Sequence, residues 1–297
     1  VSAPAFKSVT VSPPNVVTAL VLGAATSSVL SDAGEQDTYT FQGVPGMRLY
    51  YDALEGDFDA VNVRLYGPSG QNVHLNQNSD YDLGPFTLAE AGVYRLVLDA
   101  NGALSADYKF RLIDVRAQQV LPLDTDVSVT LAPGFSAAIY RLAGTPGQFL
   151  YFDGLSAIGG SDWNWYGPNN ESVSGSTMPN DFETTVSAPG EHVLVLRNQT
   201  ASAASARFRV RTAALPTNVL SLGATTTGTL TEAGERHTFT FNGTPGQRLF
   251  YDALDADLDA IDVRLLSPSG QTVHLNQNTA YDVGPFTLTE TGQYRLV

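Results

Sequence analysis

Apolar side chains along this chain recur with a period of two. The runs "DTYTF" (37–41), "RLYYDAL" (48–54), "AVNVRLY" (60–66), "QNVHL" (71–75), "VYRLVLD" (93–99) and "DYKFRLIDV" (107–115) alternate or form short apolar stretches. Turn signals separate them: "DAGE" (32–35), "GVPG" (43–46), "GPSG" (67–70) and "AEAG" (89–92). A period of two places alternate residues on one face of a strand, and Gly/Pro clusters end each strand. No stretch carries a helical period. Eight or nine short strands per hundred residues predict an antiparallel sandwich in which each sheet buries one face.

The strand pattern repeats. Residues 21–97 align with 221–297 without a gap, and about 49 of 77 positions are identical. A more distant copy lies between them: "GTPGQFLYFDGL" (144–155) matches "GTPGQRLFYDAL" (243–254), and "WYGPNNESV" (165–173) matches "LYGPSGQNV" (65–73). The order is A-B-A. Residues 18–117 are read as unit A1, 118–217 as unit B and 218–297 as unit A2, three tandem all-β domains. The connectors "RAQQVLP" (116–122) and "AALPTNV" (213–219) are apolar and contain proline, which predicts limited flexibility between units.

The ends are out of register with the repeat. "PAFKSVTVS" (4–12) reads as the closing strand of a preceding copy, so 1–17 is taken as that strand plus a linker. A2 stops at "QYRLV" without the closing strand that ends A1 ("ADYKFRLIDV") and B ("SARFRVRTA"). The front has neither an initiator methionine nor a signal-peptide pattern, as in an excerpt or a processed product. Two expectations follow: a window on a longer tandem array, or a polymer in which one chain's front strand completes the next chain's last unit.

Composition narrows the classes. The net charge is −14, with 30 acids against 16 bases, so the basic footprint of a duplex nucleic-acid binder is missing. No apolar run approaches the ~18 residues of a membrane-spanning helix. There is no cysteine, so neither disulfides nor thiolate metal sites arise.

Each A unit carries "AGE" shortly before "TYTF" or "TFTF", then "PG" before a strand, an acidic stretch followed by "VRLYGPSG" or "VRLLSPSG", and a late "GVYRLV" or "GQYRLV". This pattern resembles the bacterial pre-peptidase C-terminal domain family, across all three units and more weakly in B. The resemblance implies a jelly-roll-like β-sandwich attached to secreted proteases and other exported or surface proteins. It also implies that some relatives bind calcium and some a fibrous substrate. The family is not itself catalytic, and tandem copies without an enzyme look like a stalk.

Candidate chemistry is sparse. None of the usual local catalytic or nucleotide-binding motifs occurs, and the four histidines (His74, His192, His237, His274) read as structural. Trp163 and Trp165 stand where A1 has Val63 and Leu65, alternate positions of one strand, and are read as core. Asn170, Asn198 and Asn242 sit in Asn-x-Ser/Thr triplets, read as chance matches. "NQNSDYD" (76–82) and "NQNTAYD" (276–282) are read as turns in which Asn side chains bond the backbone, the alternative being a supporting role at a cation site.

The outer copies share an acidic comb: Glu55, Asp57 and Asp59 in A1, and Asp255, Asp257 and Asp259 in A2. At the equivalent place B has the uncharged "LSAIGG" (155–160). Asn62 and Asp262 lie just beyond. Two readings stand, a solvated acidic turn and a calcium loop in which carboxylates converge on one cation. Asp52, Asp153 and Asp252 occur in every copy and are expected to serve the fold through a backbone hydrogen bond or an ion pair.

The sequence therefore points to a non-enzymatic structural or adhesive segment of an extracellular or cell-surface bacterial fibre, with calcium as the candidate ion. Its expected partners are neighbouring repeats, other copies of itself, or a surface or matrix ligand. The alternative is a substrate-binding accessory module of a secreted hydrolase.

Overall fold

The computed structural model describes residues 16–297 apart from 33, 57–59, 101–104, 213–216, 232, 255–260 and 279. The regular structure of the described residues is strand apart from one 3₁₀ turn, and the chain is an all-β protein of stacked sheets. They fall into two compact units, 1–212 and 213–297.

The first unit holds two sandwiches. In A1 the strands are β1 (Val16–Ala19), β2 (Thr26–Leu30), β3 (Gln36–Gly43), β4 (Arg48–Gly56), β5 (Val61–Tyr66), β6 (Asn72–Asn78), β7 (Leu83–Thr87), β8 (Gly92–Ala100) and β9 (Ala106–Asp114). They form a five-stranded sheet, β1-β3-β8-β5-β6, facing a four-stranded sheet, β2-β9-β4-β7. The alternation in β5, buried at Val61, Val63 and Leu65 and half-open between, is the burial expected of a sheet with one face on the core. Leu30, Tyr51, Leu96, Leu98, Phe110 and Leu112 fill the space between the sheets.

B repeats the plan with β10 (Gln119–Val120), β11 (Asp126–Leu131), β12 (Ala137–Gly144), β13 (Phe149–Ile158), β14 (Ser161–Tyr166), β15 (Ser172–Thr177), β16 (Phe182–Thr185), β17 (Gly190–Asn198) and β18 (Ala204–Arg211). Its sheets run β10-β12-β17-β14-β15 and β11-β18-β13-β16. Trp163 and Trp165 are fully buried and pack with Phe152, Phe182 and Phe208. Pairing is antiparallel throughout except for the first strand of each unit, which runs parallel to its neighbour, as β1 does with β3 and β10 with β12. That departure from a wholly antiparallel sandwich arises because the lead-in segment enters alongside the sheet edge rather than through a hairpin.

The connector after A1 is absorbed into structure. Asp114 caps a 3₁₀ turn at Val115–Ala117, accepting the Arg116 N–H at 2.9 Å. Gln118 N–H bonds the Val115 carbonyl, and β10 follows at once. Arg141 Nε donates to the Gln118 carbonyl at 2.9 Å.

The second unit, A2, has the sheet β19 (Thr217–Val219), β20 (Thr238–Gly243), β25 (Gly292–Leu296), β22 (Asp262–Leu266) and β23 (Thr272–Asn278), in that spatial order. Opposite it lie β21 (Arg248–Tyr251) and β24 (Val283–Thr287). Residues 226–230, which match β2, form no strand. In A1 the ladder partner of β2 is β9, and the described residues of A2 include no counterpart of β9. Leu254 is accordingly 64% exposed where Leu54 is 6%. The segment 4–12, read from the sequence as a spare closing strand, lies outside the described residues.

Candidate functional site: the joint between two sandwiches

Of the six candidate calcium ligands, Asp57, Asp59, Asp255, Asp257 and Asp259 lie outside the described residues. Glu55 is described. It is exposed at the end of β4, with Lys109 Nζ 3.4 Å from its Oε2. Asn62 and Asp262 pair across their strands with Asn78 and Asn278. Among the described residues no three carboxylates or histidines gather as a cation cage.

The acid common to all copies leads elsewhere. Asp52, on β4, is fully buried. Arg111, its cross-strand partner on β9, donates Nε to Asp52 Oδ2 at 2.7 Å, with Nη2 on the same oxygen. The other carboxylate oxygen accepts the backbone N–H of Ala137, a residue of B, at 3.1 Å. Arg111 Nη2 completes the ring by donating to the Ala137 carbonyl at 3.0 Å. The expected roles, a backbone hydrogen bond and an ion pair, are therefore both present, but the backbone belongs to the next sandwich. In B, Asp153 accepts Arg211 Nε at 3.2 Å.

A second clamp lies beside it. Arg48, 6% exposed, donates Nε to Asn170 Oδ1 at 2.9 Å, Nη1 to the Glu191 carbonyl at 2.6 Å and Nη2 to the Gly167 carbonyl at 3.1 Å. All three acceptors are on B. Asn170 Nδ2 returns a hydrogen bond to Thr87 Oγ1 on β7 at 2.9 Å. Asn170 stands where A1 and A2 have Gly70 and Gly270, both at positive φ (83° and 87°), and it keeps that conformation at φ 69°. A side chain in the left-handed region is costly, least so for Asn. Here it supplies both bonds to A1.

Between the clamps lies a buried apolar patch. Tyr50, Ile113 and Val115 of A1 pack with Ala137, Ile139, Val193 and Val195 of B in one buried cluster. The B residues lie on the outer face of its five-stranded sheet. At the equivalent positions A1 has Gln36, Thr38, Arg95 and Val97, so the apolar outer face is a B feature. Strand β17 consequently has five consecutive buried residues, His192–Leu196, and is covered on both faces.

Asp82 braces the same joint from A1. It accepts Tyr50 Oη–H at 2.8 Å and the Ala53 N–H at 2.8 Å. Burial, and then the neighbouring Asp52 charge, push its carboxyl up to about 7. Burial likewise raises Asp52 to about 6, against the downward pull of Arg111 and of the Ala137 N–H. The brace recurs in B, where Asp181 accepts Tyr151 Oη–H at 2.6 Å and Gly154 N–H at 2.7 Å. In A2 Asp282 takes the Ala253 N–H at 2.8 Å.

The histidines have structural settings. His74 and His274 stack on Phe86 and Phe286 at 5.3 and 5.7 Å. His192 is buried against Trp165 at 5.3 Å, in the place where Tyr94 stacks on Phe41. His237 Nε2 lies 3.0 Å from Glu235. Asn198 is 1% exposed and donates to the Ala132 and Ser202 carbonyls.

Sequence reading missed Arg48, Thr87, Arg111 and Asn170. Two signals point to them: the Gly→Asn exchange in the B turn, and the unbroken apolar run "HVLVL" (192–196) in place of the alternating "YRLVL" (94–98).

No protein-family model matches the chain, and no curated protein matches it. Distant likenesses occur among solved structures. The secreted serine protease VesC from Vibrio cholerae aligns at 8% identity over 65% of this chain and 48% of its own, with a TM-score of 0.23. The full extracellular region of zebrafish Gpr126/Adgrg6 aligns at 10% identity over 66% and 36%, TM-score 0.21. An archaeal virus protein with a triple jelly-roll fold aligns at 11% identity over 93% and 78%, TM-score 0.19. The chain spans less than half of the first two. These likenesses are too distant to assign a function.

Proposed function

We propose that this chain is a non-enzymatic structural segment of an extracellular or cell-surface bacterial fibre, in which successive β-sandwiches are locked face to face. One observation carries the reading: A1 and B are joined by a buried apolar patch flanked by two arginine clamps, with a connector drawn into the next sheet. A joint of this kind resists bending and pulling, which is useful in a stalk and unnecessary in modules on flexible tethers. The acidic balance suits a long, solvated, exposed protein. The resemblance to pre-peptidase C-terminal domains supports the same location, and the calcium component of the proposal rests on the acidic combs of the sequence.

Single-molecule stretching of the full chain tests the joint. A1 and B are expected to yield together, releasing some 200 residues in one step, or about 650 Å of extended chain. Two separate steps of half that length would contradict the reading. The calcium component predicts that millimolar calcium raises the melting midpoint of the full chain, and that Asp257→Asn with Asp259→Asn reduces the rise. A midpoint unmoved by calcium reduces the combs to solvated turns.

A further inference from the structure

We propose that the face of A2 built on Arg248, Phe250 and Thr287 is a second docking face, and that its partner is a B-type sandwich. Such a sandwich presents an apolar outer sheet face and an asparagine in its left-handed turn. The inference rests on the reading of locked repeats and adds the chemistry by which one repeat selects the next.

The argument starts from position. At the offset of 200 residues, Arg48, Tyr50, Asp52, Asp82 and Thr87 correspond to Arg248, Phe250, Asp252, Asp282 and Thr287. Four of the five are identical, and the fifth keeps its ring. In A1, Arg48, Tyr50 and Asp52 are buried, with exposures of 6%, 1% and 0%. In A2, Arg248, Asp252 and Thr287 are exposed, and Phe250 is 55% exposed. Pro85 is buried in A1, and Pro285 is exposed in A2.

The sandwich itself does not require the arginine. B folds with Phe149 where A1 has Arg48. The hydrogen bonds of the Arg48 guanidinium described above all end on the neighbouring sandwich. An arginine kept at 248 is therefore explained by docking rather than by the interior of A2.

The partner's type follows from the other half of the joint. An A-type outer face would bring Arg95 and Thr38, or Arg295 and Thr238, to the places where B has Val193 and Ile139. Arg295 would then stand where the A1–B joint has the apolar Val193, placing a second guanidinium charge against the face that already carries Arg248. An A-type turn offers Gly70 or Gly270, with no side chain to reach Arg248 and Thr287. A B-type turn supplies Asn170, and its backbone carbonyls at 167 and 191 accept the guanidinium.

The test uses the full chain lengthened at Val297 by a second copy of residues 98–212, which continues the repeat in register. The natural chain has no cysteine, so an introduced pair can be joined by a short thiol crosslinker without background. Ala89 and Asn169 are exposed and within two residues of the Thr87–Asn170 contact. Ala89→Cys with Asn169→Cys in the unextended chain reports the A1–B joint. Thr289→Cys with Asn169→Cys in the appended copy reports the new one. The inference predicts a crosslink in both. It also predicts that Arg248→Glu cuts the second yield about tenfold or more, as expected on replacing a buried clamp by a repelling charge. Asn170→Gly in the appended copy is expected to cut it as well. A crosslink in the first pair but not the second, or a second crosslink indifferent to Arg248→Glu, overturns the inference and leaves the locked-repeat reading standing. No crosslink in either pair overturns both.

Discussion

Asp52 and Asp252 are the same residue of the same repeat in two environments. Asp52 is fully buried between Arg111 and the Ala137 N–H, whereas Asp252 is exposed. Asp52→Ala strands a guanidinium and a backbone donor and is expected to cost the first unit about 3 kcal/mol. Asp252→Ala is expected to change stability by about 0.5 kcal/mol or less. Chemical denaturation of the two variants measures the contrast, and equal losses would mean that the stability contributed by Asp52 does not come from its Arg111 and Ala137 contacts. Protonation gives a second handle. Asp52 at about 6 and Asp82 at about 7 both lie above an unfolded carboxylate. Their folded forms hold protons that the unfolded chain releases, so their contribution is complete below about pH 4 and is lost as pH rises through about 6 to 7. The melting midpoint of the first unit should therefore fall between about pH 5 and 7.5, and Asp82→Asn should flatten that slope. A midpoint that climbs over this range would contradict the burial of these carboxyls. The importance of Asp52 was legible in the sequence because all three copies have it. Its partner was not, since Ala137 lies 85 residues away and contributes only a backbone group.

Strands β12 and β17 carry the difference between the unit types. A strand with one wet face alternates, and the A units do so in "YRLVL". B loses the alternation in "HVLVL" because a second body covers the outer face. The sandwich order, the strand positions and the core placement of Trp163 and Trp165 could be read from period and alignment, since they depend on local pattern. The joint could not be read that way, because it is assembled from β4, β7 and β9 of one repeat against β12, β17 and a turn of another. Replacing Ile139 by Thr and Val193 by Arg installs the residues that A1 tolerates at those places, Thr38 and Arg95. The double variant is expected to leave B folded while uncoupling it from A1. Hydrogen exchange should then show different opening free energies for β8 and β17, where one shared value is expected for the parent. A shared value in the variant would place the coupling elsewhere.

At the scale of the whole molecule, the claim is that A1 and B are a single mechanical and thermodynamic body. The division of the chain into units at 212/213 places both sandwiches in the first. The chain offers a native probe of this coupling. It has two tryptophans, and both lie in the core of B. Tryptophan emission therefore follows the unfolding of B and is blind to A1 and A2. The decisive measurement is the tryptophan-detected melting curve of the full chain with Arg48→Ala, a substitution confined to A1. Loss of about 2 kcal/mol from a unit of this size is expected to lower the midpoint reported by B by about 4–8 °C. An unchanged midpoint would mean that B stands or falls alone, and that the joint is a contact without coupling.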